Sequence, residues 1–580
     1  MSSQDLAQST ANGTGASPVN EGDNAVQLAD VARTPTLAAN ETPVEPGETP
    51  LPPVEGAYDP PPPYTLRFLR GLSSFWHDRL IEAGLILSMG LYYLVGNPDF
   101  GAGTFLHLPP YLYSFPFLAI FACLAWYRLT FAVALQPLAL PYYIVQKTVF
   151  SAGSHQLDFS LAEISLAVCA LVALVQLVVQ RQAWPYRLSW SDLRDRLGPF
   201  SIPVLVFVVA ALISIVVAVD RSTALRAFRE EIFDPLLYVL LALCCLRTRS
   251  DLKRLLGAFL GSALIVAAIG LIQYRSLDGG RVHAMYGSAN SIGLFFDYVL
   301  PIGIALLLFQ LGKLRRSQGN VWLCLLILVA FIPLVSVLVF SQSLGTALAL
   351  PVALLFLLAM SVRSRKTLLL GAGALIILAI IVGVVLHKPL TNFIANWHDN
   401  SKGVSTAAKR VYLWIVAWHM IQHYPIFGVG MDNWLCHYTA NAYCPASVTQ
   451  QHYLINWWNN QWTGLADEPF LSHPHDIFLH VWVSIGIFGL LAFLTILGFF
   501  YWLFARIVRT VRQSTRPEIA SLEWMVLGAG GSMLAALSQG LIDSSFLEQD
   551  LAFCFWMVVA SLLLLRVFSG TSWRTPKSIG

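Results

Sequence analysis

The sequence predicts an all-α polytopic membrane protein with about 12–14 transmembrane helices and one long extracytoplasmic loop. Three observations predict it. Of 580 residues, 56% are hydrophobic and only 12% charged, about half the roughly 25% charge of a soluble globular chain. From about residue 80 onward the chain is a succession of apolar runs, many of them near the roughly 20 residues that cross ~30 Å of hydrocarbon. Lys and Arg recur in clusters between those runs, as they do in cytoplasmic loops. This composition excludes a cytosolic enzyme, a disordered chain and a nucleic-acid binder, and it makes the lipid bilayer the solvent for most of the molecule. The net charge of +3, from 36 basic and 33 acidic residues, carries no information by itself. Eight Cys in a chain of this length make no disulfide scaffold. Six of them, Cys123, Cys169, Cys244, Cys245, Cys324 and Cys554, sit in apolar runs, where Cys acts as a small hydrophobe.

Residues 1–64 are rich in Pro, Ala, Thr, Glu and Asp and lack the charged and apolar regions of a signal peptide. They read as a disordered, Pro-rich cytoplasmic tail that cannot bury enough apolar surface to offset ordering entropy. A partner-docking polyproline segment is the alternative. Transmembrane helices fill 65–387, with expected spans near 80–96, 112–127, 129–146, 158–180, 201–219, 231–246, 252–272, 291–311, 321–340, 345–361 and 367–387. The extracytoplasmic loop occupies 388–475, and further helices at 476–504, 522–541 and 551–567 make up a C-terminal block over 476–567, followed by a cytoplasmic tail at 568–580. Basic clusters at Arg67 to Arg79, Arg181 to Arg196, Arg247 to Arg254, Lys313 to Arg316, Arg363 to Lys366, Arg506 to Arg516 and Arg566 to Lys577 then fall on one side. By the positive-inside rule both termini are cytoplasmic.

A loop as long as 388–475 is usually functional. Within it, 405–424 reads as an amphipathic helix, because Val411, Trp414, Ile415, Trp418 and Ile421 recur at helical spacing. Pro425 and the glycines Gly428 and Gly430 stop it. Seven Trp (Trp397, Trp414, Trp418, Trp434, Trp457, Trp458, Trp462) read either as an interfacial aromatic belt or as platforms for a sugar. Cys436 and Cys444 stand either as a disulfide closing a small loop or as free thiols. His473, His475 and Asp476 precede the span that starts at Ile477. As metal ligands they match no closed zinc pattern. They read either as interfacial histidines beside a helix-capping Asp476 or as a site built on imidazole, whose pKa lies nearest neutrality.

The order of these segments resembles the O-antigen ligase / O-antigen polymerase superfamily. Arg410 opens the amphipathic helix, His423 leads into Gly428 and Gly430, and the variable loop follows. Then come His473 to Leu479 and Ser484 to Leu490. Tyr286 to Asn290 at the head of a span, and Gln539 to Asp543 followed by Phe555 and Trp556, resemble two further family segments. The resemblance covers roughly 160–570. It implies a metal-independent, inverting glycosyltransferase of the cell (inner or plasma) membrane, working on the outer face in surface polysaccharide assembly. The implied donor is a glycan on an undecaprenyl-diphosphate carrier, and the acceptor hydroxyl belongs to a glycolipid, a glycan or a protein. No cofactor and no metal are implied. A branch of the family assigned to bicarbonate transport supplies the alternative, a membrane transporter of a small anion or solute.

Those residue types suit that chemistry. A diphosphate leaving group gains negative charge as the glycosidic bond breaks, and fixed guanidiniums pair with phosphate oxygens. Among the outer-side Arg221, Arg226, Arg229, Arg275, Arg281 and Arg410, the resemblance puts Arg410 first and Arg281 second as diphosphate ligands. Arg229, and Arg226 with it, is a further candidate beside Glu230 and Glu231, where a local ion-pair cluster is the competing reading. The acceptor hydroxyl must lose a proton as it attacks, and a positioned His contributes typically 10²–10⁴ to such a step. The family motif puts His475 in that role, with His473 behind it. Asp476, standing where relatives usually have Asn, is expected to orient His475. Asp543 and Asn290 are expected behind these groups, with helix capping as the competing account for Asp543. Two positions depart from the family. Leu344 stands where a phosphate-binding Arg is common, and Ser484 stands where Glu is common.

Overall fold

Apolar runs in lipid fold as helices because each helix satisfies its own backbone hydrogen bonds. The computed structural model describes residues 74–95, 110–143, 146–152, 155–180, 186, 189–277, 280–361, 373, 406–438 and 472–573. Its helices begin with α1 (Ser74–Leu94), α2 (Pro110–Tyr127), α3 (Leu129–Leu135), α4 (Leu161–Gln180), α5 (Trp190–Leu197) and α6 (Ser201–Val217). Then come α7 (Arg221–Phe228), α8 (Asp234–Cys245), α9 (Arg249–Tyr274), α10 (Ala289–Leu314), α11 (Val321–Ser341) and α12 (Leu344–Ser361). The last group is α13 (Thr406–His423), α14 (Trp434–Tyr438), α15 (Ile477–Gln513), α16 (Pro517–Ala520), α17 (Glu523–Gly540) and α18 (Gln549–Ser569).

The chain is an all-α polytopic membrane protein. Among the described residues nine helical segments are long and apolar enough to cross a membrane, or ten if a bent pair counts as one span. The expected 12–14 exceed this for identifiable reasons. The run at 129–146 is no separate span, since it is bent by 118° from α2 and passes into a 3₁₀ segment at Gln136–Tyr142. Pro137 and Pro141 lack the N–H groups an α-helix needs there. The run at 231–246 yields only the 12-residue α8 behind a π-helical turn at Arg229–Phe233, about 18 Å of helix where ~30 Å is needed. α1 carries Asp78, Arg79 and Glu82. The span expected at 367–387 lies outside the described residues apart from Gly373, as do Trp397, Trp457, Trp458 and Trp462. Where a plain loop was expected at 147–157, Lys147–Ala152 and His155–Phe159 form an antiparallel hairpin.

α18 is the most deeply enclosed helix. Around it α17 packs on α10 and α12, and α15 packs on α6. Arg and acidic residues tie the bundle at one end, with Arg566 on Asp195 at 2.8 Å and Arg512 on Glu523 at 2.8 Å. The opposite end, where α15 and α18 begin and α17 finishes, holds the polar residues of interest.

One break positions them. α15 runs 37 residues, but Gly486 has φ +82° and ψ −176°, which interrupts the helix. A Cβ there would overlap the carbonyl oxygen of Ile426, so only glycine fits. The freed groups bond to the turn after α13. Val429 N–H donates to Val483 O at 2.7 Å, and Ile487 N–H donates to Pro425 O at 3.0 Å. Gly428 (φ +71°) lies against the Val483 carbonyl in the same way. α13 and the first turns of α15 are thereby locked together.

Candidate active site

Asp476 accepts the N–H groups of Phe478 (2.9 Å) and Leu479 (2.8 Å) and so caps α15. Both hydrogen bonds go to one oxygen, which is the geometry that favours Asp before a helix. The cap fixes where the preceding His475 stands, and His475 itself has φ +53°. A non-glycine residue in that region costs of order 1 kcal/mol and is held there by its surroundings. Trp414 of α13 supplies one hold, donating its indole N–H to the His475 carbonyl at 3.3 Å.

The side chain of His475 meets Asp543, in the loop between α17 and α18. Nδ1–H donates to Asp543 Oδ1 at 2.7 Å. The same oxygen accepts the N–H of Ser544 at 3.0 Å, while Oδ2 faces the Arg410 guanidinium at 3.6 Å. Arg410 and His475 are therefore brought together through a third residue. Asp543 is 5% exposed, Arg410 17% and His475 20%, so the carboxylate is enclosed and the imidazole is the more accessible partner. With Nδ1 committed to Asp543, Nε2 carries the free lone pair.

His473 stands beside this group, its ring centroid 4.3 Å from that of His475. Its Nδ1 accepts the backbone N–H of His475 at 3.2 Å, and Nε2 points at Glu548 Oε1 at 3.3 Å. A neutral imidazole that accepts at Nδ1 must carry its proton at Nε2, so His473 donates to Glu548. Burial, with His475, His480 and Arg410 around it, holds its pKa well below the ordinary histidine value. The ring of His480 stacks on His473 at 5.3 Å, and Nδ1 of His480 bonds Ser544 Oγ at 2.7 Å. Tyr298 of α10 donates to Ser545 O at 2.6 Å. The loop carrying Asp543 is thus clamped from two helices.

One ligand atom each from His473, His475 and Asp543 lies within 4.8 Å of the others, a spacing a divalent cation could bridge. Apart from His475 Nε2, the ligand atoms are already engaged. Nδ1–H of His475 and Nε2–H of His473 both face carboxylates, and Arg410 sets a positive charge on Asp543. As arranged, the group carries a proton network.

The remaining expected residues stand apart. Arg281 donates to Ser341 O (2.9 Å), Asn290 Oδ1 (2.8 Å) and Gln342 O (3.4 Å). Its guanidinium therefore rests on the junction of α11 and α12, at Ser341 and Gln342. Asn290 is its anchor at the first turn of α10. Arg229 pairs with Glu163 at 2.8 Å and Glu230 at 2.6 Å and lies 5.0 Å from the Phe159 ring centroid. This geometry favours the ion-pair cluster, the competing reading for Arg229, over a diphosphate ligand, because two carboxylates already face it. The Asp476 carboxylate serves the helix cap, and it is Asp543 that bonds the His475 ring. Cys436 is disulfide-bonded, and Cys444 lies outside the described residues. Sequence reading missed Glu548, Ser544 and His480. The only signal was an acidic residue just before a helix, a position that ordinarily reads as a cap.

No curated protein matches the chain. Residues 328–494 match the family model described as O-antigen ligase. That stretch runs from within α11 to the first half of α15 and includes Leu344, Arg410, His473, His475 and Asp476, but not Asp543, Glu548 or Arg281. The segment 328–494 is thus similar to an O-antigen ligase domain, and the O-antigen ligase superfamily is the family this match supports.

Proposed function

We propose that the chain is a membrane glycosyltransferase that moves a glycan from an undecaprenyl-diphosphate carrier to an acceptor hydroxyl, with inversion and without a metal. The observation that carries the reading is the 2.7 Å bond from His475 Nδ1 to Asp543, with Arg410 on the same carboxylate. Asp543 holds the imidazole in the tautomer whose Nε2 is a base, as a buried carboxylate does for a catalytic histidine elsewhere. Nε2 takes the acceptor hydroxyl proton while the oxygen attacks the anomeric carbon. The bond from that carbon to the phosphate oxygen breaks, and the carrier diphosphate leaves with the electron pair. Arg410 pairs with the growing negative charge near a low-dielectric wall, where such pairing is strong. Arg281, bonded to the chain at Ser341 and Gln342 just before Leu344, supplies a second guanidinium in place of the family Arg. His473, its accepting nitrogen already used, donates to Glu548 and orients the backbone of His475.

The site end is assigned to the extracytoplasmic side of the inner or plasma membrane, since Arg512 and Arg566 lie at the other end of their helices. The test is transfer by the full chain in liposomes from a defined polyprenyl-diphosphate oligosaccharide, with the acceptor hydroxyl varied and a chelator added. Transfer that survives chelation and disappears in His475→Ala supports the reading. Chelator-sensitive transfer would contradict the metal-free mechanism, and anion flux without any transfer would replace it with the transporter.

A further inference from the structure

We infer that the bundle carries a binding site for a monovalent cation of the size of Na⁺ at Asp297, between α10 and α17 and apart from the groups proposed for transfer. Asp297 is the ninth residue of α10, a segment apolar enough to cross the membrane. It is fully buried, and neither carboxyl oxygen has a hydrogen-bond partner. Among the described residues no Lys or Arg pairs with it. An ionisable side chain at such depth is costly and marks a bound or transferred charge. The backbone adds a third acceptor. Pro301 has no N–H, so the Asp297 carbonyl lacks the i+4 donor that a helix ordinarily supplies.

The neighbouring helices bring further oxygens. A Cβ on Gly528 of α17 would lie 3.0 Å from Ile302 Cα, and one on Gly531 would lie 3.2 Å from Pro301 Cβ, so α10 and α17 touch there. Nearer the site end, a Cβ on Gly293 would overlap Thr346 Oγ1, and Thr346 donates to Gln539 Oε1 of α17 at 2.7 Å. Rising numbers on α10 thus meet falling numbers on α17, and the two run antiparallel. One turn back from Pro301 is Asp297, and one turn on from Gly528 is Ser532, whose buried Oγ has no partner either. Asp297 also shares its face with Gly293, so the oxygens of Ser343, Thr346 and Gln539 lead from the site end of the bundle toward it.

The donors select the ion. All are hard oxygens, which suit alkali and alkaline-earth cations over transition metals. One carboxylate balances one positive charge, and a divalent ion would leave a second charge uncompensated in a low-dielectric interior. The close approach of α10 and α17 at Gly528 and Gly531 favours Na⁺ over the larger K⁺. A freed helix carbonyl beside an acidic side chain is a combination that membrane proteins use for such ions. Asp297 lies about 12 Å along α10 from its first residue. A chelator of divalent ions does not strip Na⁺, so the metal-free transfer step stands or falls separately.

The experiment needs no glycan donor. Binding of radioactive Na⁺ to the purified full chain in nanodiscs is measured at constant ionic strength with choline as the inert cation, and thermal unfolding is followed in the same buffers. The expected result is one Na⁺ per chain, bound more tightly than K⁺, with Tm about 3 °C higher in saturating Na⁺ than in choline. Asp297→Asn should abolish both the binding and the Tm shift. Ser532→Ala should weaken binding about tenfold, the size of one lost contact to a charge, and it reads the site even if Asp297→Asn fails to fold. Glu518→Gln, at an exposed carboxylate, should change neither. Binding that persists in Asp297→Asn, binding untouched by Ser532→Ala, or no binding at all would overturn the inference. A Tm that follows pH and ignores Na⁺ would overturn it as well and make a proton the occupant. Na⁺ binding in a chain that transfers no glycan would leave this site standing without the transferase, and transfer by a chain that binds no Na⁺ would do the reverse.

Discussion

Arg410 and Arg229 each sit among carboxylates, yet their surroundings leave them with opposite capacities. Arg229 is 2.8 Å from Glu163 and 2.6 Å from Glu230, both almost wholly buried, and its guanidinium also lies near the Phe159 ring. Two negative charges face one positive charge, so an incoming anion meets net repulsion. Arg410 shares one carboxylate with a histidine, at the looser distance of 3.6 Å. One carboxylate faces this guanidinium directly, against two at Arg229. On the proposed function, a diphosphate that gains charge in the transition state would be stabilised at the second site and not at the first. The number of carboxylates around an Arg, more than its presence in a polar cluster, decides whether it can bind an anion.

The contrast can be broken experimentally. The largest effect is expected from Asp543→Asn or His475→Ala, each lowering turnover by roughly 10²–10⁴, measured as glycan transferred per enzyme in liposomes. Arg410→Ala should come next, with kcat/KM down by about 10–100-fold, the size of a lost charge-assisted hydrogen bond. Partial recovery in Arg410→Lys would show that charge counts there beyond the bidentate fork. At the other cluster, Arg229→Met should leave the folded protein's transfer rate nearly intact while lowering stability by about 3 kcal/mol, since it strands buried carboxylates. Thermal unfolding in detergent reads that loss, and a rate loss as large as that of Arg410→Ala would erase the distinction. The smallest effect belongs to Asp476→Asn. Asn is as good a cap as Asp, so transfer and stability should both stay within about twofold of the parent.

That last pair, Asp476 against Asp543, marks where sequence reading stopped. Apolar runs placed most of the helices, and the amphipathic spacing from Val411 to Ile421 placed α13, because burial leaves a periodic record in the chain. Asp476 looked like the partner of His475 because the two are adjacent, yet adjacency at a helix start favours capping. The actual partner is 68 residues away, and a loop clamped by His480 and Tyr298 brings it in. No local pattern records such a contact. The α2–α3 bend was half legible, in Pro137 and Pro141, whereas the hairpin at Lys147–Phe159 was not, since strands this short resemble loops.

The most direct test of Asp543 as the link is a double-variant cycle on transfer rate with Asp543→Asn, His475→Ala and both together. Residues that act as one unit are non-additive, so the double variant should be no slower than the slower single variant. Losses that multiply, or a single variant that retains the parent rate, would contradict a base held in register by that carboxylate.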